Sequence, residues 1–247
     1  MRIPVTRGIP AVFLGLLMLG AGGCGAVGPP AGLFEAERAA APAMLPPPPG
    51  FTSLFDGRTL RGWKGLVSPD GGPPARARMS ALQLATAQVV ADDKMRRHWS
   101  VDADGTLFFD GKGDSLCTAR DYTNFELIVD WMIPPAGDSG IYLRGSPQVQ
   151  IWETVVGSGG LYNNQKHENN PDEKADRPTG QWNRFFIRMR GERVWVWLNG
   201  VLVTDGVVME NYWERKKPIY PSGQIELQSH GGPLWFRNVW IRELAPP

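Results

Sequence analysis

A long series of short alternating segments restricts the fold of this chain most strongly. From about residue 105 to residue 244, apolar and polar residues alternate in short runs that are separated by Gly, Pro, Asn and Asp. Alternation with a period of two is typical of a strand with one buried face. The pair Asn199-Gly200 between two runs predicts a hairpin. Because no helix alternates with the runs, a parallel α/β sheet is disfavoured, and we expect an all-β, antiparallel jelly-roll sandwich.

One segment departs from this pattern. The sequence PPARARMSALQLATAQVVADDKMRRHW, residues 73–99, lacks glycine and is rich in Ala, Leu, Gln and Met. Its apolar residues form an imperfect helical stripe, so we predict one helix inserted in the β fold. The longest stretch that fits no strand is residues 154–180, and loops of that length in a compact domain are usually functional or mobile.

The N-terminal residues predict export. Residues 1–23 combine two arginines with a short apolar run, as in a cleaved signal peptide, and small residues lead to Cys24 as in a bacterial lipobox. We expect lipidation of Cys24 and a membrane-anchored lipoprotein in the periplasm or at the cell surface, with plain secretion as the alternative. Residues 24–50 are rich in Ala, Pro and Gly and predict a tether, so the folded domain should occupy residues 51–247.

Charge and cysteine content exclude two function classes. The chain has 26 Lys and Arg against 25 Asp and Glu, so there is no basic excess for a nucleic acid partner. If Cys24 carries lipid, Cys117 has no disulfide partner. Cys117 lies in a strand-like run, and we interpret it as a small buried apolar residue rather than a nucleophile.

Polar residues on three predicted strands form a candidate site. Side chains alternate along a strand, so the aliphatic residues of GIYLRG, QVQIWE and QIELQS identify the faces that point away from the core. Amides, a guanidinium and aromatic rings suit a sugar, whose hydroxyls need hydrogen bonds and whose C–H groups stack on rings. The residues assigned to these polar faces are Tyr142, Arg144, Gln148, Gln150, Trp152, Glu226, Gln228 and His230.

Glu153 and the three histidines need separate treatment. Strict alternation directs Glu153 into the core, so either the strand ends before it or it is a buried carboxylate with a partner. His98, His167 and His230 have no metal-binding spacing. A divalent metal ion held by carboxylates and amides is nevertheless compatible with the sequence, and we expect no other cofactor.

Several sequence blocks, in order, resemble one bacterial family. The blocks are FTSLFDGRTLRGW, DGTLFFDGKGDSLCTARDYTNFELIVDW, GDSGIYLRGSPQVQIWE, QWNRFFIRMRGERVWVWLNG and GQIELQSHGGPLWFRNVWIREL, and they span about residues 51–244. They resemble the 3-keto-glycoside lyase/hydratase, or 3-keto-disaccharide hydrolase, domain. The resemblance implies a concanavalin-like jelly roll and export. It also implies a reaction on glycosides that an upstream 3-dehydrogenase oxidoreductase has converted to 3-ketones. The proton on C2 is removed, the aglycone leaves C1, and water adds to the resulting glycal.

Such a reaction needs a base, a group that stabilises the enolate and an acid for the leaving oxygen. We assign proton transfer to His230 or Glu226 and ketone stabilisation to Arg144, and we keep Glu153 as a further catalytic candidate. Relatives often have a small residue at the position of Glu226, so its role would be a feature of this chain. The expected substrate contacts are Asp138, Tyr142, Gln150, Trp152 and Gln228.

Two other functions are compatible with a jelly roll. A lectin-like module would bind carbohydrate without catalysis. A retaining glycosidase would pair two carboxylates at short range, as in an ExDxxE pattern, and the sequence has no such run.

Overall fold

A computed structural model describes residues 28–30, 32–34, 44–68 and 72–245. The predicted signal peptide and Cys24 lie outside these residues. Within the described part, no helix is long and apolar enough to cross a membrane. The helices and strands there are, in chain order, β1 (Thr52–Ser53), β2 (Trp63–Gly65), α1 (Gly72–Ala77), α2 (Ala81–His98), β3 (Trp99–Val101), β4 (Leu107–Phe109), β5 (Leu116–Thr118), β6 (Phe125–Met132), β7 (Asp138–Leu143), β8 (Gln148–Trp152), β9 (Asn183–Arg190), β10 (Arg193–Leu198), β11 (Val201–Val208), β12 (Ile225–Leu227) and β13 (Leu234–Glu243).

The strands form two antiparallel sheets. The larger sheet has the order β11-β10-β9-β6-β13-β4-β3, with β1 paired to β13, and the smaller sheet has the order β2-β5-β12-β7-β8. The hairpin between β10 and β11 turns at Asn199 and Gly200, which both have positive φ, 52° and 93°. The predicted antiparallel jelly-roll sandwich is therefore confirmed, and each predicted run contains a strand.

The main core lies between the two sheets. Leu127 and Val129 of β6 and Phe236 of β13 belong to the same buried cluster as Ile141 of β7 and Leu227 of β12. Complete burial of an aliphatic or aromatic side chain contributes about 1.5–3 kcal/mol. The alternate residues of the smaller sheet consequently point away from the core, as the sequence pattern predicts.

The predicted helical insert is present, but it consists of two helices instead of one. Ser80 is extended, with φ −65° and ψ 159°, and separates α1 from α2. Its hydroxyl accepts from the Gln83 N–H, and the Gln83 side chain accepts from the Ser80 N–H. This capping box satisfies two backbone donors and starts a new helix, which explains the break. The backbone of α2 lies directly on β2: a Cβ on Gly65 would be 2.1 Å from the Ala91 carbonyl oxygen.

Packing begins before Phe51, within the segment predicted to be a tether. Leu33 is buried in a second apolar cluster, with Ile128 and Trp240 on the outer face of the larger sheet. The Leu45 N–H donates to Asn238 Oδ1 at 2.9 Å. Leu33 and Leu45 of this segment pack against the outer face of the larger sheet, which carries aromatic side chains.

Candidate active site

A row of side chains crosses the smaller sheet on the face away from the core. Lys64 of β2 pairs with Cys117 of β5, which pairs with Glu226 of β12. Glu226 pairs in turn with Tyr142 of β7, and Tyr142 pairs with Gln148 of β8. Residues in register on adjacent strands have their Cβ atoms about 4.5–5.5 Å apart. The sheet therefore places the Glu226 carboxyl group next to the Tyr142 ring and the Cys117 thiol.

This face is covered by protein. Gln148 and Glu226 expose only 3% and 5% of their surface, and Cys117 is fully buried. Helix α1 and the segment around Trp213 lie over the strands and enclose, with Glu226, a cavity of about 150 Å³, here called the Glu226 cavity. Trp213 is held in place by donating its ring N–H to the Gly145 carbonyl at 2.9 Å. The predicted polar face is thus the floor of an enclosed site.

Burial sets the acidity of Glu226. Desolvation raises its pKa from 4.5 to about 7, and the positive charges of Arg76 and Lys64 oppose this rise only in part. Arg76 Nη2 lies 3.9 Å from Glu226 Oε1, beyond hydrogen-bond distance. A carboxyl group with a pKa near 7 can both accept and return a proton at neutral pH. Glu226 therefore has the properties of a general base and acid.

Two neighbours of Glu226 provide a donor and an acceptor. Burial raises the pKa of Tyr142, and the negative charge of Glu226 raises it further, so the phenol stays protonated and can donate a hydrogen bond. Gln228 Oε1 is buried in the described structure without a hydrogen-bond partner. Both residues line the Glu226 cavity. An unsatisfied buried acceptor is costly, and a hydroxyl of a bound sugar would satisfy it.

A chain of hydrogen bonds connects the row to Asp138, which lies beside His230. Gln148 Nε2 donates to Gln150 Oε1 at 2.6 Å, and Gln150 Nε2 donates to Asp138 Oδ1 at 2.7 Å. The other Asp138 oxygen lies 3.6 Å from His230 Nδ1, and the His230 side chain is 57% exposed. Gly140 makes room for the glutamines, since a Cβ there would lie 2.6 Å from Gln148 Cγ. The chain fixes the direction of both amides and leaves His230 accessible.

The long loop of residues 154–180 borders the same face. Trp152 donates its ring N–H to the Gly157 carbonyl at 2.7 Å and packs edge-on against Tyr162, with ring centroids 5.9 Å apart. These residues and Gln150 line a cavity of about 160 Å³. The loop therefore contacts the polar face at Trp152.

Two predicted catalytic residues lie apart from the row. The predicted direction of Arg144 was wrong, whereas Glu153 follows the alternative in which the strand ends before it. The alternation fails at Arg144, which has φ 59°, because β7 ends at Leu143. The Arg144 guanidinium donates instead to the Tyr220 carbonyl and to Asn124 Oδ1, at 3.2 Å each. Glu153 follows the end of β8, is exposed, and accepts from the Ala136 N–H at 2.5 Å. Its carboxylate therefore stabilises a turn and does not point into the core.

Sequence reasoning missed the residues that cover the row. Arg76 comes from the insert and Trp213 from an irregular segment after β11, and neither has a strand pattern that would indicate its direction. Ser115 and Ser229, with their hydroxyl oxygens 3.4 Å apart, line the Glu226 cavity next to Gln228. Only adjacency to predicted strand ends could have indicated these serines.

The described residues do not supply an evident metal site. Among them, no group of three or more His, Cys, Asp and Glu side chains is arranged to hold a metal ion. Asp138 and His230 together offer two ligand atoms, fewer than the three protein ligands of a zinc site. The steps proposed below use only the side chains of this chain.

Comparisons with known proteins agree with the fold and show the family. The model of a family described as the 3-keto-alpha-glucoside-1,2-lyase-like domain matches residues 50–242. A 3-keto-disaccharide hydrolase from Bacteroides thetaiotaomicron is 22% identical over 253 aligned positions, which cover 79% of each chain.

Cys117, predicted to be a buried apolar residue, is buried and free, and desolvation raises its pKa to about 12.

Solved structures from Parabacteroides distasonis have the same fold. One protein, described as a candidate glycosyl hydrolase, is 25% identical with a TM-score of 0.57 over 80% of this chain and 85% of its own. A second, with the same description, is 24% identical with a TM-score of 0.54 over 79% of this chain and 94% of its own.

Proposed function

We propose that this chain, which belongs to the 3-keto-alpha-glucoside-1,2-lyase-like family, cleaves 3-keto-glycosides in the Glu226 cavity. The family consists of carbohydrate-active hydrolases and lyases. The observation that carries the proposal is a buried carboxyl group whose pKa is about 7. The reaction begins with removal of a proton next to a ketone. A base with this pKa is well matched to that step at neutral pH.

Glu226 acts in the elimination step. Its carboxylate removes the proton from C2, and the electron pair moves toward the C3 ketone to give an enolate. The enolate then re-forms the ketone as a C1=C2 double bond forms and the C1–O bond to the aglycone breaks. The aglycone oxygen takes up a proton and leaves as an alcohol. In the second half of the reaction water adds its hydroxyl to C1 and a proton returns to C2, so the net change is hydrolysis.

Six further residues support these steps. Tyr142, as a neutral phenol, donates a hydrogen bond to the developing enolate oxygen, and a donor placed where charge develops stabilises the transition state. Asp138 lies beside His230, which activates the water that adds to C1. Gln228 accepts from a sugar hydroxyl through its unpartnered Oε1. The side chains of Gln150 and Trp152 contact the sugar at the edge of the long loop.

The ketone must be supplied by another enzyme. The proposed steps are proton transfers, elimination and hydration, which leave the C3 ketone at the same oxidation level, so the substrate is the product of an oxidoreductase that oxidises C3 of a glycoside. Export is also part of the proposal: a lipid-anchored protein would meet glycosides outside the cytoplasm. Metabolic labelling with a fatty acid, compared between wild type and Cys24→Ser, tests the anchor, and equal labelling would refute it.

The decisive assay measures sugar release from a 3-keto-glucosyl disaccharide and, in parallel, from the unoxidised disaccharide. We expect turnover of the keto sugar alone, with kcat/KM rising with pH through about 7 as Glu226 loses its proton. Glu226→Gln should lower kcat by about 10²–10⁴-fold, the usual contribution of a general base. The control Glu243→Gln changes an exposed carboxylate paired with Arg120 and should retain full activity. Binding of glycans without release of product would contradict the proposal.

A further inference from the structure

A larger cavity lies beside the Glu226 cavity and has no role in the steps above. It encloses about 480 Å³ between the helical insert and residues 214–224, and it is here called the insert pocket. Helices α1 and α2 form one wall, through residues such as Pro74 and Leu84. Volumes of roughly 300–1,000 Å³ are typical of small-molecule sites.

The two cavities are adjacent. Pro73 and Arg76 line both of them. A Cβ on Gly145 would lie 3.2 Å from Pro73 Cγ, 3.5 Å from Glu226 Oε1 and 3.7 Å from Arg76 Nη2, so these groups converge on one point. Arg76 is fixed there because its Nη1 donates to the Val67 carbonyl at 2.8 Å. A molecule whose sugar ring contacts Glu226 can therefore extend past Arg76 into the insert pocket.

The wall of the insert pocket is chiefly apolar. The side chains that provide this surface are Val67, Pro73, Pro74, Ala77, Leu84 and Pro221. Leu84 leaves 36% of its surface exposed. Polar side chains also line the pocket, and of these Arg144 donates to the Tyr220 carbonyl and to Asn124 Oδ1. A phenyl ring can pack on the apolar surface because it has no hydroxyl group that needs a hydrogen-bonding partner.

We infer that the insert pocket binds the aglycone of the substrate, and that this aglycone is an apolar, non-sugar group such as an aromatic alcohol. The inference rests on the proposed function, because it assigns the sugar to the Glu226 cavity. It adds the substrate class: 3-keto-glycosides of apolar alcohols. The helical insert then acts as the specificity element of this chain, since both α1 and α2 contribute to the wall.

The test compares two 3-keto-glucosides, one with 2-phenylethanol and one with methanol as the aglycone. Both are alkyl alcohols, but only the first can fill the pocket. We expect wild-type kcat/KM to be about tenfold or more higher for the phenylethyl substrate, the scale of discrimination that apolar pockets achieve. In Leu84→Gln this ratio should fall about fivefold, because the variant replaces apolar wall with an amide. Intrinsic reactivity of the two alcohols is the same for every variant and cancels.

Leu82→Gln is the matched control. Leu82 lies two residues away on α2, is 78% exposed and does not line the pocket, so the substrate ratio should equal that of wild type. A wild-type ratio near one, or equal ratios in Leu84→Gln and wild type, would overturn the inference while leaving the proposed function intact.

Binding of 2-phenylethanol alone, followed by NMR, requires no turnover. It should be weaker in Leu84→Gln than in Leu82→Gln. Absence of turnover with both substrates would overturn the proposed function. Absence of 2-phenylethanol binding would overturn the assignment of the insert pocket as the aglycone site.

Discussion

Replacing Glu226 by glutamine should make the protein more stable at alkaline pH. The carboxyl group is 5% exposed, and its nearest cation in the structure, Arg76, lies 3.9 Å away. The other groups that face it are Lys64, Cys117 and Tyr142, of which only Lys64 carries a charge that favours the carboxylate. Ionisation of Glu226 in the folded state is therefore poorly compensated. Glutamine keeps the shape and removes the charge.

The magnitude follows from the shift in pKa. Folding raises the pKa from 4.5 to about 7, so the folded state binds this proton more tightly than the unfolded state. The contribution of Glu226 to the free energy of unfolding therefore falls as pH rises from about 4.5 to 7, and this contribution does not change further above pH 7. At 1.36 kcal/mol for each pH unit, the loss amounts to about 3 kcal/mol. Below pH 4.5 both states hold the proton, and the penalty is absent.

Urea unfolding followed by tryptophan fluorescence, at pH values between 4 and 8.5, measures this effect. Glu226→Gln should be similar to wild type at pH 4 and about 3 kcal/mol more stable at pH 8. The control Glu243→Gln, at an exposed site, should keep the pH dependence of wild type. Parallel pH profiles for wild type and Glu226→Gln would refute the assignment of a raised pKa to Glu226, and with it the main support for its role as a base.

Three other substitutions test separate parts of the structure. His230→Gln should lower kcat by at least tenfold in the keto-sugar assay, and the same change at His167, in the loop, should not; equal effects would exclude a specific role for His230. Gly140→Ala places a Cβ 2.6 Å from Gln148 Cγ and should lower stability to urea by about 1–3 kcal/mol, so an unchanged midpoint would contradict the tight packing there. Asp130→Ala removes the carboxylate from a buried ion pair on the larger sheet and should cost about 3–5 kcal/mol of unfolding free energy; a cost below 1 kcal/mol would argue against that pair as a stabilising contact.

The alternating pattern was sufficient to predict the sheets and most of the polar row. Ile225 and Leu227 are apolar and point into the core. Because side chains alternate along a strand, Glu226 between them points to the opposite face, independently of the other segments. The same reasoning placed Tyr142, Gln148 and Gln150 correctly. It failed at Arg144, because β7 ends one residue earlier and a positive φ turns the chain. A single non-extended residue breaks the period, and a strand end is not visible in the alternation itself.

Tertiary structure alone decided what kind of environment the polar face has. Sequence determines that Glu226 points away from the core, but only the covering by α1 and Trp213 removes it from water and raises its pKa to about 7. The insert was predictable as helical because helix propensity and capping are local properties. Its position over the sheet depends on contacts between residues far apart in the chain, such as Gly65 with Ala91 and Glu226 with Arg76. Directions of side chains are local and can be derived from the sequence, whereas desolvation and cavities depend on which distant segments meet.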